Sequence, residues 1–236
     1  MHPELVVIGA TGGVGRGIVA EALAGGYRVV AVARDAAKLD ALAETHHRIP
    51  ALTVLPASIA DDASAEALAQ TLRRRGSRLD GVVVAIHEPL ARARLVERPA
   101  SFLAEMLASQ AVAHLAAARH LVPLLAEAQR GALYLTVNGG AADYPWAGYG
   151  HVSIAATAVK MLGRVLREEY AESGVRIQQL QLDRHVATER HPGCECPGWL
   201  TPADVGRRVV ELVRSSRGVV PVVHLIARGD DGRDAA

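Results

Sequence analysis

The sequence predicts an α/β fold, a doubly wound parallel sheet with helices on both faces, and three observations carry that expectation. Short runs rich in β-branched residues recur along the chain, among them Leu5-Val6-Val7-Ile8, Arg28–Ala33 and Gly81–Ile86. Unbroken apolar runs of this length suit strands buried on both faces. Stretches of helical length alternate with them. No linker rich in Gly, Ser or Pro divides the 236 residues, so residues 1–227 are expected to form a single domain, with 228–236 as a disordered tail.

The elements follow in order. Leu5–Ile8 closes on a glycine and reads as the first strand. A helix runs from about Val14 to Ala24 and stops at Gly25-Gly26, after which Arg28–Ala33 supplies a second strand and completes one βαβ unit. The alternation continues through a helix at Ala36–Glu44, a strand at Leu52–Leu55, a helix at Ala63–Arg75 and the strand Gly81–Ile86. Ser101–Ala126 reads as a helix that breaks near Pro123. Leu133–Val137 is a strand, Val152–Ser173 a long helix and Val175–Leu182 another strand, followed by a helix at Pro202–Ser215 and a last strand near Val219–Ile226.

Composition narrows the function. Hydrophobic residues make up 50% and charged residues 22%, enough to bury a large core and too ordered a mixture for a disordered or collagen-like chain. Lys and Arg number 26 against 25 Asp and Glu, and a net charge of +1 argues against nucleic acid as a partner. Arg73-Arg74-Arg75 sits in the last turn of a helix, where cations complement the helix dipole. No apolar run reaches the roughly 18 residues of a membrane span, and nothing near Met1 resembles an export signal. Cys194 and Cys196 are too close together for a useful disulfide, so a reducing, cytoplasmic location is expected.

The chemistry begins between the first strand and the first helix, at Gly9-Ala10-Thr11-Gly12-Gly13-Val14-Gly15. Glycines here let the backbone turn sharply and approach a pyrophosphate, and the amides at the helix N-terminus carry positive partial charge. A glycine pattern alone is weak. This one follows a buried strand, opens a helix and precedes a second strand, the context expected of a Rossmann-like dinucleotide seat.

With these residues the chain resembles the short-chain dehydrogenase/reductase family. The family's TGxxxGxG is matched at every glycine, with Ile8 in place of the leading Thr. Leu79-Asp80, Pro123, Leu162-x-Arg164-x-Leu166-x-x-Glu169 and Thr201-Pro202-x-Asp204-Val205 extend the resemblance to about residue 215. It implies a nicotinamide cofactor held by Gly9, Thr11, Gly12, Gly13, Val14 and Gly15, with Ser58 and Ile59 near the adenine and Ala85 and Ile86 after the fourth strand. The carboxylate that usually holds an NAD ribose is replaced by Ala33, and the next residue is Arg34. A guanidinium binds phosphate in a bidentate, charge-assisted way, so NADP (NADPH) is expected rather than NAD, unless Arg34 only lies at a solvated strand end or pairs with Asp35.

The resemblance also shows what has changed. The family's catalytic Tyr and Lys positions fall on Val152 and Ala156, its Ser on Asn138 and its Asn on Gln110. Neither Val152 nor Ala156 transfers a proton. Ser58 replaces the adenine-contacting Asp, Val84-Ala85-Ile86-His87 replaces NNAG, and Leu182-Asp183 stands where PG is usual. Losing a positioned general acid typically costs a factor of about 10²–10⁴. Substitutes are Tyr149, which could pair with Lys160 if the helix start shifts, and the histidines His87, His151 and His185. Asn138 could orient a carbonyl through its amide. His185, His191, Cys194 and Cys196 have zinc-type side chains, but their spacing fits no standard finger, and they are read as part of a substrate lid with no metal.

Three function classes remain open on this reading. One is an NADP(H)-dependent ketone reductase with an unconventional proton donor, acting on a small molecule such as an aromatic polyketide-type ketone. A second is a catalytically silent NADP-binding sensor or scaffold, and a third is non-redox chemistry such as a cyclase or isomerase. The family resemblance further implies a homodimer or homotetramer through the helices containing Ala108–Ala118 and Val152–Ser173, although an alanine-rich helix could equally pack on its own sheet.

Overall fold

Strand β1 (Glu4–Ile8) pairs in parallel with β2 (Arg28–Ala33) on one side and β4 (Leu79–Val84) on the other, so the chain's first strand lies inside the sheet. Its residues are all buried, as an unbroken apolar run requires. The computed structural model describes residues 3–76, 78–87, 92–128, 131–189, 198–215 and 222–225. Among them, seven strands form one parallel sheet in the order β3-β2-β1-β4-β5-β6-β7, where β3 is Leu52–Pro56, β5 Leu133–Gly139, β6 Arg176–Leu182 and β7 Val222–Leu225. The strand order reverses between β1 and β4. A crevice opens there beyond the carboxyl ends of the strands, which is where ligands bind in this architecture.

Two apolar layers hold the helices to the sheet. On one face, Leu5, Val7, Leu135 and Leu180 meet α1 (Gly13–Ala24), α2 (Ala36–Thr45) and α7 (Pro202–Arg214). On the other, Val6, Ile8, Tyr134 and Ile177 meet α3 (Asp62–Arg75), α5 (Ala113–Ala128) and α6 (Gly150–Glu169). Helices therefore cover both faces, as the alternating pattern predicts. Helix α7 starts with a full capping box, in which the Thr201 hydroxyl accepts from the Asp204 amide and the Asp204 carboxylate accepts from the Thr201 amide. Arg73 bridges to Glu127 and Arg75 to the buried Glu4, so this arginine run serves the fold.

One expectation needs correction. The long helical segment does not break at Pro123, which lies inside α5. The helical path is instead disturbed earlier, where α4 (Ala100–Leu107) passes through a π-turn at 108–112 into α5. Leu121, Val122, Leu124 and Leu125 flank the proline and are buried against the sheet, and that packing outweighs the one lost backbone bond. Ala116, Ala117 and Ala118 lie in the chain's own core, which needs small residues for close approach to β4 and β5. The calls on the last strand before residue 222 and on the tail from 228 lie outside the described residues.

Helices α1 and α7 cross in close contact. A Cβ on Gly206 would lie 2.4 Å from the Gly17 carbonyl oxygen, and one on Gly17 would lie 2.2 Å from the Pro202 carbonyl oxygen. Neither neighbour is a side chain that could rotate away. Gly206→Ala is therefore expected to destabilise the protein by about 1–3 kcal/mol through overpacking, read as a lower Tm in thermal denaturation. An unchanged Tm would show that the two helices separate freely.

Candidate functional site

The glycine loop lies at the β1/β4 crevice, and its shape is set by backbone contacts that no other residue permits. Gly9 has φ +84°, and a Cβ there would lie 2.4 Å from the Ala85 carbonyl oxygen. A Cβ on Gly15 would lie 2.1 Å from the Gly9 carbonyl oxygen. The loop is tied to the sheet by the Gly9 and Ala10 amides, which donate to the Val32 carbonyl at 2.9 and 3.1 Å. Helix α1 starts from Gly12, which has no side chain to cap the first-turn amides. Those donors face the crevice as a seat for an anion. Thr11 and Val14 are half-buried in the loop, and Val14 packs on the core beneath it.

The far wall of the seat comes from the chain leaving β6. A Cβ on Gly13 would lie 2.5 Å from the Thr188 methyl group, so Thr188 rests directly on the glycine turn. Next to it, Glu189 forms an ion pair with Arg16 at 2.7 Å. Sequence reasoning missed Thr188, because the contact joins residues that are remote along the chain.

At the other end of the crevice, Arg34 is exposed just past β2. Asp35 is engaged as the N-cap of α2, accepting from the Lys38 amide at 3.1 Å, and that bond holds its carboxyl below the ordinary carboxylate range. Lys38 reaches back to the same carboxylate at 3.6 Å. Arg34 thus stands one residue before the α2 N-cap, with Lys38, which was not singled out from the sequence, paired to Asp35. The Ser58 hydroxyl accepts from the Ala60 amide at 3.1 Å, and Ile59 is buried in the core below. Ala85 and Ile86 are half-buried, with the Ala85 carbonyl against Gly9.

The place of the missing acid is apolar. Val152 and Ala156 pack with Ala141 and Ala142 into a small cluster against which Trp146 and Tyr149 rest. Asn138 is held on both sides: its amide donates to the Ala156 carbonyl at 2.8 Å, and its side-chain oxygen accepts from the Gly139 amide at 2.9 Å. Tyr149 stands at the N-cap of α6. Lys160 donates to Asp143, which also accepts from Gln181, and these bonds from Lys160 first and Gln181 second keep the Asp143 carboxyl below its usual range. Gln181 continues to Asp183 at 3.1 Å and Asp183 to His224 at 2.8 Å. The Lys160 ammonium is thus drawn into a polar chain running from α6 to β7.

The histidines part company. His87 is exposed just after β4, at the crevice. His151 is buried against Phe102 of α4, ring centroids 4.8 Å apart, and burial followed by the nearby Arg98 holds its pKa below the ordinary value. Its neighbours are thus those of a packing residue between α4 and α6. His185 lies between Trp146 and Trp199, at 5.6 and 5.2 Å, and Trp146 meets Tyr149 edge-on at 6.4 Å. Trp146 belongs to no motif, although in a chain with 3% aromatics its two tryptophans are a compositional signal. His191, Cys194 and Cys196 lie outside the described residues.

Gln110, at the family's Asn position, is buried inside the π-turn, where its carbonyl lies 2.7 Å from Nδ1 of His114. His114 is fully buried, and desolvation pushes its pKa down from 6.5 to about 4. The neutral ring therefore donates to the Gln110 carbonyl inside the π-turn. Because the unfolded chain takes up the proton first, this stability is complete above about pH 6.5 and declines as the pH falls toward 4. The loss over that window is about 3 kcal/mol for a fully buried ring. Denaturant unfolding across it should show a flatter slope for His114→Gln, with His151 supplying the remainder. An equal slope in both proteins would remove His114 as the cause.

The family model described as short chain dehydrogenase matches residues 4–188. The chain belongs to the short-chain dehydrogenase family. A short chain oxidoreductase from Pseudomonas aeruginosa PAO1, described as containing an atypical catalytic center and solved both apo and NADPH-bound, is similar at 21% identity. The match covers 99% of this chain and 98% of that one, with a TM-score of 0.85. An alcohol dehydrogenase from the archaeon Thermococcus sibiricus, complexed with 5-hydroxy-NADP, is 20% identical over 99% of this chain and 100% of that one, with a TM-score of 0.83. Likeness at these identities shows the shared fold. A search of curated proteins by sequence gave no significant match.

Proposed function

We propose that this protein is an NADP(H)-dependent oxidoreductase that acts on a small-molecule ketone without the Tyr/Lys pair usual in its family. The observation that carries the reading is the glycine turn, where Gly9 and Gly15 pack backbone on backbone so that α1 starts close to the sheet with its first-turn amides uncapped by any side chain. Gly12 to Gly15 would hold the pyrophosphate on the first-turn amides, with Thr188 beside them. Arg34 and Lys38 would hold the 2′-phosphate, since Asp35 is engaged in capping α2. NADP-bound structures among the relatives of this fold support the choice of nucleotide. When bound, the reduced nicotinamide supplies hydride.

The chain's own contribution at the reacting end is exclusion of water and orientation. Val152, Ala156, Ala141 and Ala142 form a dry floor, and Asn138 holds α6 against the end of β5. Among the described residues no ammonium is positioned on that floor, and the phenol that rests against it, Tyr149, has no lysine beside it, since Lys160 is held by Asp143. The proton then comes from solvent, from the substrate itself, from Tyr149 or from the exposed His87 at the crevice.

Titration of the protein with NADPH and NADH, followed by nicotinamide fluorescence, tests this reading. NADPH should bind at least tenfold more tightly than NADH, and Arg34→Ala should remove most of the difference. Equal affinity for both nucleotides in the unaltered protein would overturn the phosphate assignment.

The same reading includes self-association. Ile154, Met161 and Val165 form an exposed apolar stripe on α6, near Val112 of the π-turn and Leu115 of α5. A second copy of this chain is the occupant proposed for it, as a homodimer or homotetramer. Light scattering after size exclusion should show at least a dimer, and Met161→Asp with Val165→Asp should yield a monomer. A monomeric unaltered protein would remove this part of the reading.

A further inference from the structure

The chain has few aromatic residues, and both of its tryptophans stand in one row. The row runs Tyr149, Trp146, His185, Trp199 and draws on three separate segments: the loop before α6, the exit of β6 and the approach to α7. The exit of β6 and the approach to α7 are zipped together by the Ala187 amide on the Leu200 carbonyl at 2.8 Å and the Leu200 amide on the His185 carbonyl at 2.9 Å. Trp146 and Trp199 remain half-buried, so each keeps ring surface for another group. Trp146 and Tyr149 also rest on the apolar floor of Val152 and Ala156. Floor and row together line one side of the crevice with flat π-surfaces beside an apolar base.

We infer that this cleft is a binding site for a planar, conjugated dicarbonyl of the quinone class. This inference rests on the cofactor reading above and narrows its substrate. The shape argument is that flat rings stack on Trp, Tyr and His side chains. The charge argument concerns the rim. Arg92 lies over Gly148, with its Nε 3.2 Å from where a Cβ would stand, and the loop's carboxylate, Asp143, is already engaged by Lys160 and Gln181. With that carboxylate already neutralised, the described residues of the rim do not favour an organic cation.

The chemical argument concerns the proton. Reduction of a simple ketone leaves an alkoxide, whose conjugate acid is about as weak an acid as water, so the missing acid is costly. A quinone that accepts hydride on one carbonyl oxygen, forming an O–H bond as the nicotinamide C–H bond breaks, becomes an aromatic phenolate at the other oxygen, and phenols ionise near a pKa of about 10. Two electrons enter the ring with the hydride, the nicotinamide is oxidised, and a proton from water completes the hydroquinone. No protein acid is required.

The test uses the two tryptophans as reporters. The protein, saturated with NADP⁺ so that no turnover occurs, is titrated with 1,4-naphthoquinone while tryptophan fluorescence is recorded. Saturable quenching is expected, and cyclohexanone should produce none. Trp146→Ala, read through Trp199, and Trp199→Ala, read through Trp146, should each weaken binding about tenfold, while Trp199→Phe, which keeps a ring, retains most of it. With NADPH, naphthoquinone should be consumed and cyclohexanone should not. Absent or non-saturable quenching with nucleotide binding intact overturns the aromatic site alone, as does equal affinity in the alanine variants. Failure to bind the nucleotide at all overturns the reading beneath it and the site with it.

Discussion

Backbone packed on backbone at the end of β1 is the constraint from which the rest of the molecule follows. Gly15 sits against the Gly9 carbonyl and Gly9 against the Ala85 carbonyl, so α1 starts close to the sheet and β4 lies directly beside the loop. A single added methyl group at either position would push apart the two elements that border the crevice. The same close approach continues through α1 to α7 at Gly17 and Gly206. One line of small residues thus sets the nucleotide seat and the packing of the face behind it, which couples binding to fold stability.

The reacting end is built on a different principle. Where relatives of this architecture would carry a phenol and an ammonium, Val152 and Ala156 complete a small apolar cluster, and polar side chains nearby are turned to structural duty. Asn138 secures α6, and Lys160 and Asp143 anchor a polar chain that reaches β7. The architecture that opens a crevice at β1 and β4 is thus kept, while Val152 and Ala156 make its reacting end apolar.

Much of this was legible in the sequence. Alternating strand and helix patterns give the parallel sheet, because burial on both faces demands unbroken apolar runs such as Val82–Val84. The glycine loop is a local motif, and local motifs survive translation into structure. The helix break was misplaced because proline's local penalty was weighed without the packing of Leu121 and Leu125, which only the sheet supplies. The alanine stripe was likewise ambiguous until the sheet claimed Ala116 to Ala118.

By itself the sequence determined the strand and helix order, the seat at Gly9–Gly15 and the absence of the usual acid at Val152 and Ala156, since each depends on neighbours in the chain or on the identity of one residue. Tertiary structure alone decided what three similar histidines do: His151 is packed on Phe102, His114 satisfies the π-turn, and His185 stands between two tryptophans. Their surroundings come from elements far apart in sequence, and an imidazole's role is set by the burial and partners it meets there.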